Sequence, residues 1–234
     1  AKHHVMNRGT HRSDIFPHEE SRDVFLNLLS QLPQRFDIRV HGYALMPNHY
    51  HLMLESVSGK LSRAMQRLAS EYTQQTNAMM GWEGAVFRGR FRNRIVETDD
   101  YWRHLLAYLH LNPSRAGLEG LGDPRWTSHA IYAGTAAAPE WLTTTDLQAL
   151  YGSAEAYLAY LNASTGEDAT KAADFDPKLL WSRGKTNVVA GPPSLEPYLE
   201  VSGALAEVCR VTGLDLEAVL ERRRGRVPNK AGWL

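Results

Sequence analysis

The order of local patterns over the first half of the chain is the feature that most restricts its fold. Stretches rich in β-forming residues alternate with stretches whose apolar residues recur at spacings of three and four, the helical period. Strands are predicted at 3–7, 38–46 and 49–55, and either one bent strand or two short ones at 86–96. Helices are predicted at 18–32, 61–80 and 99–112. The order β-α-β-β-α-β-α predicts a ferredoxin-like (RRM-like) α+β sandwich over about residues 1–118, with an antiparallel sheet and its helices on one face.

Beyond residue 132 the pattern changes. We predict a first domain over residues 1–132, a linker and helical segment over 133–195, and a small helical module, expected to be incomplete, over 196–234. Charge is divided similarly, because residues 1–130 carry 16 Lys and Arg against 13 Asp and Glu, whereas residues 131–234 carry 10 against 13. This contrast, and not the net charge of zero, bears on the partners of the chain.

The cysteine content and hydropathy bear on the compartment. The single cysteine, Cys209, excludes an internal disulfide framework and favours a reducing compartment. The sequence holds no run of about 18 apolar residues, the length that a membrane-spanning helix needs. We therefore expect a globular protein of the cytoplasm.

Two histidines two positions apart, His49 and His51, stand at the start of the third predicted strand. Residues i and i+2 of a strand share a face, so the two imidazoles lie side by side and can share one metal ion. Two strand histidines on a solvated face are the alternative. The Pro47-Asn48 turn before the pair and the apolar Leu52-Met53-Leu54 after it favour a central strand, and with it a metal site.

On the last helix of this domain, Tyr108 and Asn112 are four residues apart and share one face. The amide oxygen of Asn112 is a hard ligand suited to Mg²⁺ or Mn²⁺, and a nearby cation helps to activate a phenol as a nucleophile. A half-buried helix tyrosine and a helix-capping asparagine are the alternative. Tyr72 is a second candidate nucleophile, although its helical spacing with apolar neighbours favours a place in the core.

An alternating run of four arginines, Arg88, Arg90, Arg92 and Arg94, lies between the two long helices. In an extended segment all four side chains face one way, and the apolar residues of the run face the other. Arginine forms forked hydrogen bonds with phosphate, so the run predicts a stripe that follows a nucleic-acid backbone. Further candidates for phosphate contact are Arg8, Arg12 and Arg115.

Three runs of the sequence resemble one family, the REP-associated tyrosine transposases. The runs are His4-Val5-Met6-Asn7-Arg8-Gly9, Tyr43-Ala44-Leu45-Met46-Pro47-Asn48-His49-Tyr50-His51-Leu52 and Tyr108-Leu109-His110-Leu111-Asn112-Pro113-Ser114-Arg115-Ala116-Gly117. With Trp126-Thr127-Ser128, the resemblance spans about residues 3–132. This family is a bacterial relative of the single-tyrosine insertion-sequence transposases, within the HUH endonuclease class. Residues 196–230 resemble the helical, DnaA-like DNA-binding extension of some longer members.

The resemblance implies a divalent metal, Mg²⁺ or Mn²⁺, on His49 and His51, with Tyr108 as the nucleophile and Asn112 as the polar residue one turn beyond it. It also implies cleavage and rejoining of single-stranded or hairpin DNA from repetitive palindromes, through a 5′-phosphotyrosine. We accordingly expect a monomer or homodimer at the bacterial nucleoid. Two other functions stay open: a non-catalytic module that binds structured DNA or RNA, and a metal-dependent hydrolase in which water replaces the tyrosine.

Overall fold

The structure, a computed structural model, describes residues 1–118 and 124–164. Its sheet consists of β1 (Lys2–Arg8), β2 (Ile38–Met46), β3 (His49–Ser56) and β4 (Arg92–Val96). Its helices are α1 (Glu19–Ser30), α2 (Leu32–Phe36), α3 (Leu61–Met80), α4 (Asp99–Arg115), α5 (His129–Tyr132), α6 (Thr145–Tyr151) and α7 (Ala154–Ala163). The strand order β2-β3-β1-β4, with every neighbouring pair antiparallel, confirms the predicted ferredoxin-like α+β class.

Helices cover both faces of the sheet, which corrects the expectation that they cover one. Successive strand residues point to opposite faces, and the inner strands are apolar on each side. Tyr50 and Leu52 of β3 belong to the core with α1 and α3, whereas Met53 belongs to a second core with α4, α6 and α7. An apolar surface on each face must be buried, so the sheet lies between two helical layers.

Helix α4 extends past its predicted end. Thr98 caps its first turn, as expected, by accepting a hydrogen bond from the amide of Tyr101 at 3.2 Å. The helix then continues through Pro113 to Arg115, three residues beyond the predicted stop. A proline in the last turn removes one backbone hydrogen bond near an end that is already open, so it does not break the helix there.

A buried polar network ties α4 to the segments that follow it. His110 uses both ring nitrogens, Nδ1 with the hydroxyl of Tyr157 and Nε2 with the hydroxyl of Ser128, each at 2.7 Å. The oxygen of Ser128 also accepts from the backbone amide of Tyr43 on β2, at 3.1 Å. The network thus joins the sheet, α4 and α7 through one imidazole.

The predictions for the second half of the chain can be compared with the structure only as far as residue 164. The helical segment expected within 133–195 contains two helices, α6 and α7, with Gly152 between them at a positive φ of 84°. All described residues fall within one compact unit. The module predicted over 196–234, and the part of 133–195 beyond 164, lie outside the described residues, and the predicted domain boundaries remain predictions.

Candidate metal centre and active site

The turn between β2 and β3 places the two histidines. Its Pro47 carbonyl accepts from the amide of Ile15 at 2.8 Å, and its Asn48 carbonyl accepts from the amide of Gly9 at 2.9 Å. A Cβ at Gly9 would lie 2.0 Å from the carbonyl oxygen of Ser13, so only glycine fits this close approach. The loop after β1 thereby holds the turn that precedes His49.

The imidazole of His49 is held in one tautomer. Asn48 donates through Nδ2 to the backbone oxygen of Arg12 at 3.2 Å, which directs its Oδ1 towards His49 Nδ1, 2.7 Å away. An amide oxygen can only accept, so His49 carries its proton on Nδ1. The lone pair of His49 is then on Nε2, as metal ligation through that atom requires.

His49 and His51 lie together on the α4 face of β3, as predicted. Their ring centroids are 5.0 Å apart, close enough for one ion to reach both, and the rings are perpendicular. Burial, aided by Arg8, lowers the pKa of His49 to about 4, and burial lowers the pKa of His51 well below its usual value. Both imidazoles are therefore neutral at neutral pH, so their charge state and the His49 tautomer fit a divalent cation.

His4 of β1 lies beside His51. Its Nε2 is 2.9 Å from His51 Nδ1, and the two rings stack with centroids 5.1 Å apart. The sheet register pairs Met6 with His51 and His4 with Met53. The side chains of His4, Met6 and Met53 therefore lie on the same face of the sheet as His51. Burial, then the nearby charge of Arg94, lowers the pKa of His4 to about 3 and keeps it neutral.

Tyr108 reaches the histidines from α4. Its ring lies edge-on to His51 with centroids 5.6 Å apart, and 6.4 Å from that of His4. Burial raises the pKa of Tyr108, while hydrogen bonding from Asn112 and the charge of Arg115 act to lower it. The Arg115 guanidinium carbon lies 5.7 Å from the centre of the phenol ring. The fold thus gathers the predicted nucleophile and the predicted metal pair at one place.

Asn112 lies one turn beyond Tyr108 and next to it. Its Nδ2 donates to the backbone oxygen of Tyr108 at 2.9 Å, which leaves the amide oxygen as the atom with ligand character. The half-buried side chain is close enough to Tyr108 to affect its pKa. Its role as a third ligand remains a prediction.

Four of the predicted arginines cluster beside the histidines. Arg8 stands opposite His49 in the register of β1 and β3. Burial, followed by the charges of Arg88, Arg12 and Arg92, lowers the pKa of Arg8. Two surface pockets share Arg8 and Arg88, and the larger, of about 440 Å³, also includes Arg12. This concentration of positive charge suits a phosphate chain.

The four alternating arginines do not form one strand, which corrects the predicted stripe. Only Arg92 and Arg94 lie in β4, opposite Met6 and His4 and therefore on the histidine face. Arg88 and Arg90 lie in bends, next to Phe87, which forms an isolated antiparallel bridge with Gly9 outside β4. The guanidinium group of Arg94 stacks over the ring of Tyr101, with its carbon 5.0 Å from the ring centre.

Tyr72, the second candidate nucleophile, lies on the opposite face of the sheet from His49 and His51. It is fully buried in the core beneath α1, and its hydroxyl donates to the carbonyl oxygen of Ile15. Burial raises its pKa to about 12. Tyr72 therefore lies in the core, as its helical spacing with apolar neighbours predicted.

A second group that could hold a cation lies towards the other end of the sheet. His41 of β2, Glu55 of β3 and Asp146 of α6 offer ligand atoms within 4.8 Å of one another. The ring of His41 is fully buried, and its Nε2 is 3.6 Å from Glu55 Oε2, which Arg39 also contacts at 3.0 Å. The sequence analysis missed this group because its members are far apart along the chain.

A family comparison assigns the first part of the chain. The family described as "Transposase IS200 like" matches residues 1–111, which include β1 to β4, the histidine pair and Tyr108. The match covers 111 of the 234 residues, just under half of the chain. This similarity supports a DNA-processing role. No curated protein matches the chain.

Two solved structures are similar to part of this chain. One is a REP-associated tyrosine transposase bound to a REP hairpin, 12% identical, with 61% of this chain and 84% of that chain covered and a TM-score of 0.48. The other is a protein of Deinococcus radiodurans provisionally named a transposase, 13% identical, with 47% and 88% covered and a TM-score of 0.36. Within residues 1–118 and 124–164, no helix is long and apolar enough to cross a membrane.

Proposed function

We propose that this IS200-like transposase is a metal-dependent endonuclease and strand transferase for single-stranded DNA, with Tyr108 as its nucleophile. The observation that carries the proposal is the contact of Tyr108 with His51, across centroids 5.6 Å apart. The substrate class is hairpin or repetitive palindromic DNA, and the site of action is the bacterial nucleoid. The neighbour solved with a REP hairpin agrees with that substrate class.

His49 and His51 are the residues that hold the metal, and Asn112 is the third ligand. When bound, a divalent cation supplies charge stabilisation at a scissile phosphate and favours an ionised phenol. Mg²⁺ or Mn²⁺ suits an amide oxygen, and the two imidazoles also tolerate Zn²⁺. The neutral charge state of both histidines supports this role.

The reaction of Tyr108 is a transesterification. Its phenolic oxygen loses a proton and forms a bond to phosphorus, the bond from phosphorus to the 3′ oxygen breaks, and that oxygen leaves as a hydroxyl. The product is a 5′-phosphotyrosine, and attack by a 3′-hydroxyl reverses the step and joins strands. Phosphodiester energy is retained in the protein–DNA bond, so no nucleotide cofactor is required.

Arg115 and Asn112 assist the nucleophile directly. Both act to lower a phenol pKa that burial raises, because a cation and a hydrogen-bond donor favour the phenolate. The Arg8, Arg12, Arg88 and Arg92 cluster contacts the DNA backbone next to the scissile phosphate. The charge of this cluster therefore positions substrate, whereas Tyr108 performs the chemistry.

Formation of a covalent adduct with labelled DNA tests the proposal. We expect Mn²⁺ and an end-labelled hairpin oligonucleotide to give a band shifted by the mass of the chain on a denaturing gel. Tyr108→Phe abolishes this band, and Tyr101→Phe, a matched change on the same helix, retains it. Cleavage that survives Tyr108→Phe assigns the water-dependent hydrolase instead, and metal-independent binding with no cleavage assigns the non-catalytic module.

A further inference from the structure

The two predicted metal ligands, His49 and His51, differ in the hydrogen-bond partner of Nδ1. His49 Nδ1 meets Asn48 Oδ1, an atom that can only accept a hydrogen bond. His51 Nδ1 meets His4 Nε2 at 2.9 Å, and an imidazole nitrogen can either donate or accept. The tautomer of His49 is therefore imposed by an amide, whereas that of His51 depends on the tautomer of a second histidine.

We propose that His4 is a positioning residue for the metal, acting through His51; this inference rests on the proposed function. As an acceptor, His4 Nε2 keeps the proton of His51 on Nδ1, which leaves the lone pair of His51 on Nε2 for the cation. Ligating histidines commonly use their second nitrogen in this way, and loss of such a partner weakens metal binding by about 10- to 100-fold.

The environment of His4 suits an acceptor. The side chain is fully buried, and Arg94, its partner in the register of β1 and β4, places a positive charge nearby. The 2.9 Å separation of His4 Nε2 and His51 Nδ1 fits one N–H shared between two imidazole nitrogens, with one as donor and the other as acceptor. The stacked arrangement of the rings, 29° from parallel, also holds His51 at one angle.

The proton of His4 couples the pair to the cation. When Nε2 accepts, the proton of His4 is on Nδ1, and within the described residues that atom has no hydrogen-bond partner. A buried N–H without a partner costs free energy, so the tautomer of His4 that is protonated on Nδ1 needs a compensating interaction elsewhere in the pair. Ligation at His51 Nε2 is such an interaction, since it excludes the alternative in which His4 donates and His51 is protonated on Nε2.

Metal affinity, rather than activity, tests the role. We expect His4→Leu to raise the Kd for Mn²⁺, measured by the electron paramagnetic resonance signal of free Mn²⁺, by about 10- to 100-fold. His4→Gln, whose amide oxygen can accept from His51, restores most of the affinity. His3→Leu, a neighbouring change on the opposite face of β1, leaves it unaltered. All variants carry Asp146→Asn, so that the His41, Glu55 and Asp146 group does not contribute.

The outcomes separate this inference from the proposed function. If His51→Ala keeps the Mn²⁺ affinity, the metal assignment itself is wrong. If His51→Ala loses affinity while folded His4→Leu stays within twofold of the parent chain, His4 has no positioning role and the proposed function stands.

Tautomers in the unaltered, ¹⁵N-labelled chain give a readout that does not depend on how well the variants fold. With Zn²⁺ added, long-range ¹H–¹⁵N spectra should show His51 protonated on Nδ1 and His4 with a lone pair on Nε2. A proton on His51 Nε2, or zinc on its Nδ1, overturns the inference.

Discussion

The ring of Tyr108 lies edge-on to the ring of His51, with the two centroids 5.6 Å apart. This contact joins the middle of α4 to the central strand β3 and closes the site on the face that the predicted sandwich left uncovered. It depends on the packing of α4, whose buried leucines share one core with Met6 and Met53. The position of Tyr108 next to His51 therefore depends on the packing of α4 against the second face of the sheet.

Loss of Arg88 should reduce the salt dependence of DNA binding. Each phosphate contact to a single strand contributes about 0.7 to the slope of log K against log salt. We expect Arg88→Gln to lower that slope by about this amount for an unstructured oligonucleotide, in fluorescence anisotropy titrations at several salt concentrations. Arg67→Gln, on α3 and paired with Glu71, serves as the control. Equal slopes for both variants would remove Arg88 from the interface.

Substitution of Gly9 should disturb the loop that holds the β2–β3 turn. A Cβ at this position meets the backbone of Ser13, which cannot move as a flexible side chain can. We expect Gly9→Ala to lower the free energy of unfolding by about 1–3 kcal/mol and to weaken Mn²⁺ binding, in urea titrations with and without metal. Gly89→Ala, where nothing lies within 4 Å of the new atom, should be neutral in stability.

Removal of the Ser128 hydroxyl should destabilise the chain without touching the nucleophile. Ser128→Ala leaves His110 Nε2 and the amide of Tyr43 without their partner in a buried site. We expect a loss of about 1–3 kcal/mol in the free energy of unfolding, measured in urea. Ser62→Ala on the exposed surface of α3 is the matched control, and an equal effect of the two changes would contradict the importance of the network.

Stability should fall as the pH drops below about 6.5. Burial lowers the pKa of His110 well below its usual 6.5, and burial also lowers that of His41. The unfolded chain therefore binds protons that the folded chain does not, and the free energy of unfolding decreases by up to about 1.4 kcal/mol per pH unit for each such histidine.

The contribution of His110 to this pH dependence can be isolated. His110→Gln removes one titrating group, so we expect the free energy of unfolding to fall less steeply between pH 7 and 5 than in the parent chain. His18→Gln, at an exposed position, provides the comparison for a histidine outside the core. Parallel curves for the parent chain and His110→Gln would show that His110 does not contribute.

Local patterns were enough to predict much of the fold. The strand 38–46 was predicted with both ends correct, and the strand beginning at His49 ended one residue late in the structure. The arginine run was less well predicted, since alternation describes Arg92 and Arg94 but not Arg88 and Arg90. Phe87 pairs with Gly9 in an isolated bridge outside β4, and the pairing of residues so distant in sequence is not visible in the local pattern.

In the candidate site too, local periodicity predicted some placements but not the contacts between strands. The two-residue period of a strand placed His49 and His51 on one face, and the four-residue spacing of a helix placed Tyr108 and Asn112 on one face. Neither period says which strand neighbours which, so neither predicted that His4 would meet His51.

The sequence by itself determined the order of strands and helices, the α+β class and the side of each element on which the candidate residues stand. These properties depend on neighbours a few residues apart, whose geometry the backbone dictates. The tertiary structure alone decided that α4 covers the second face of the sheet, that Asn48 selects the His49 tautomer and that His4 contacts His51. Those contacts join residues through sheet register and helix packing, which arise only when apolar surfaces on both faces of the sheet are buried together.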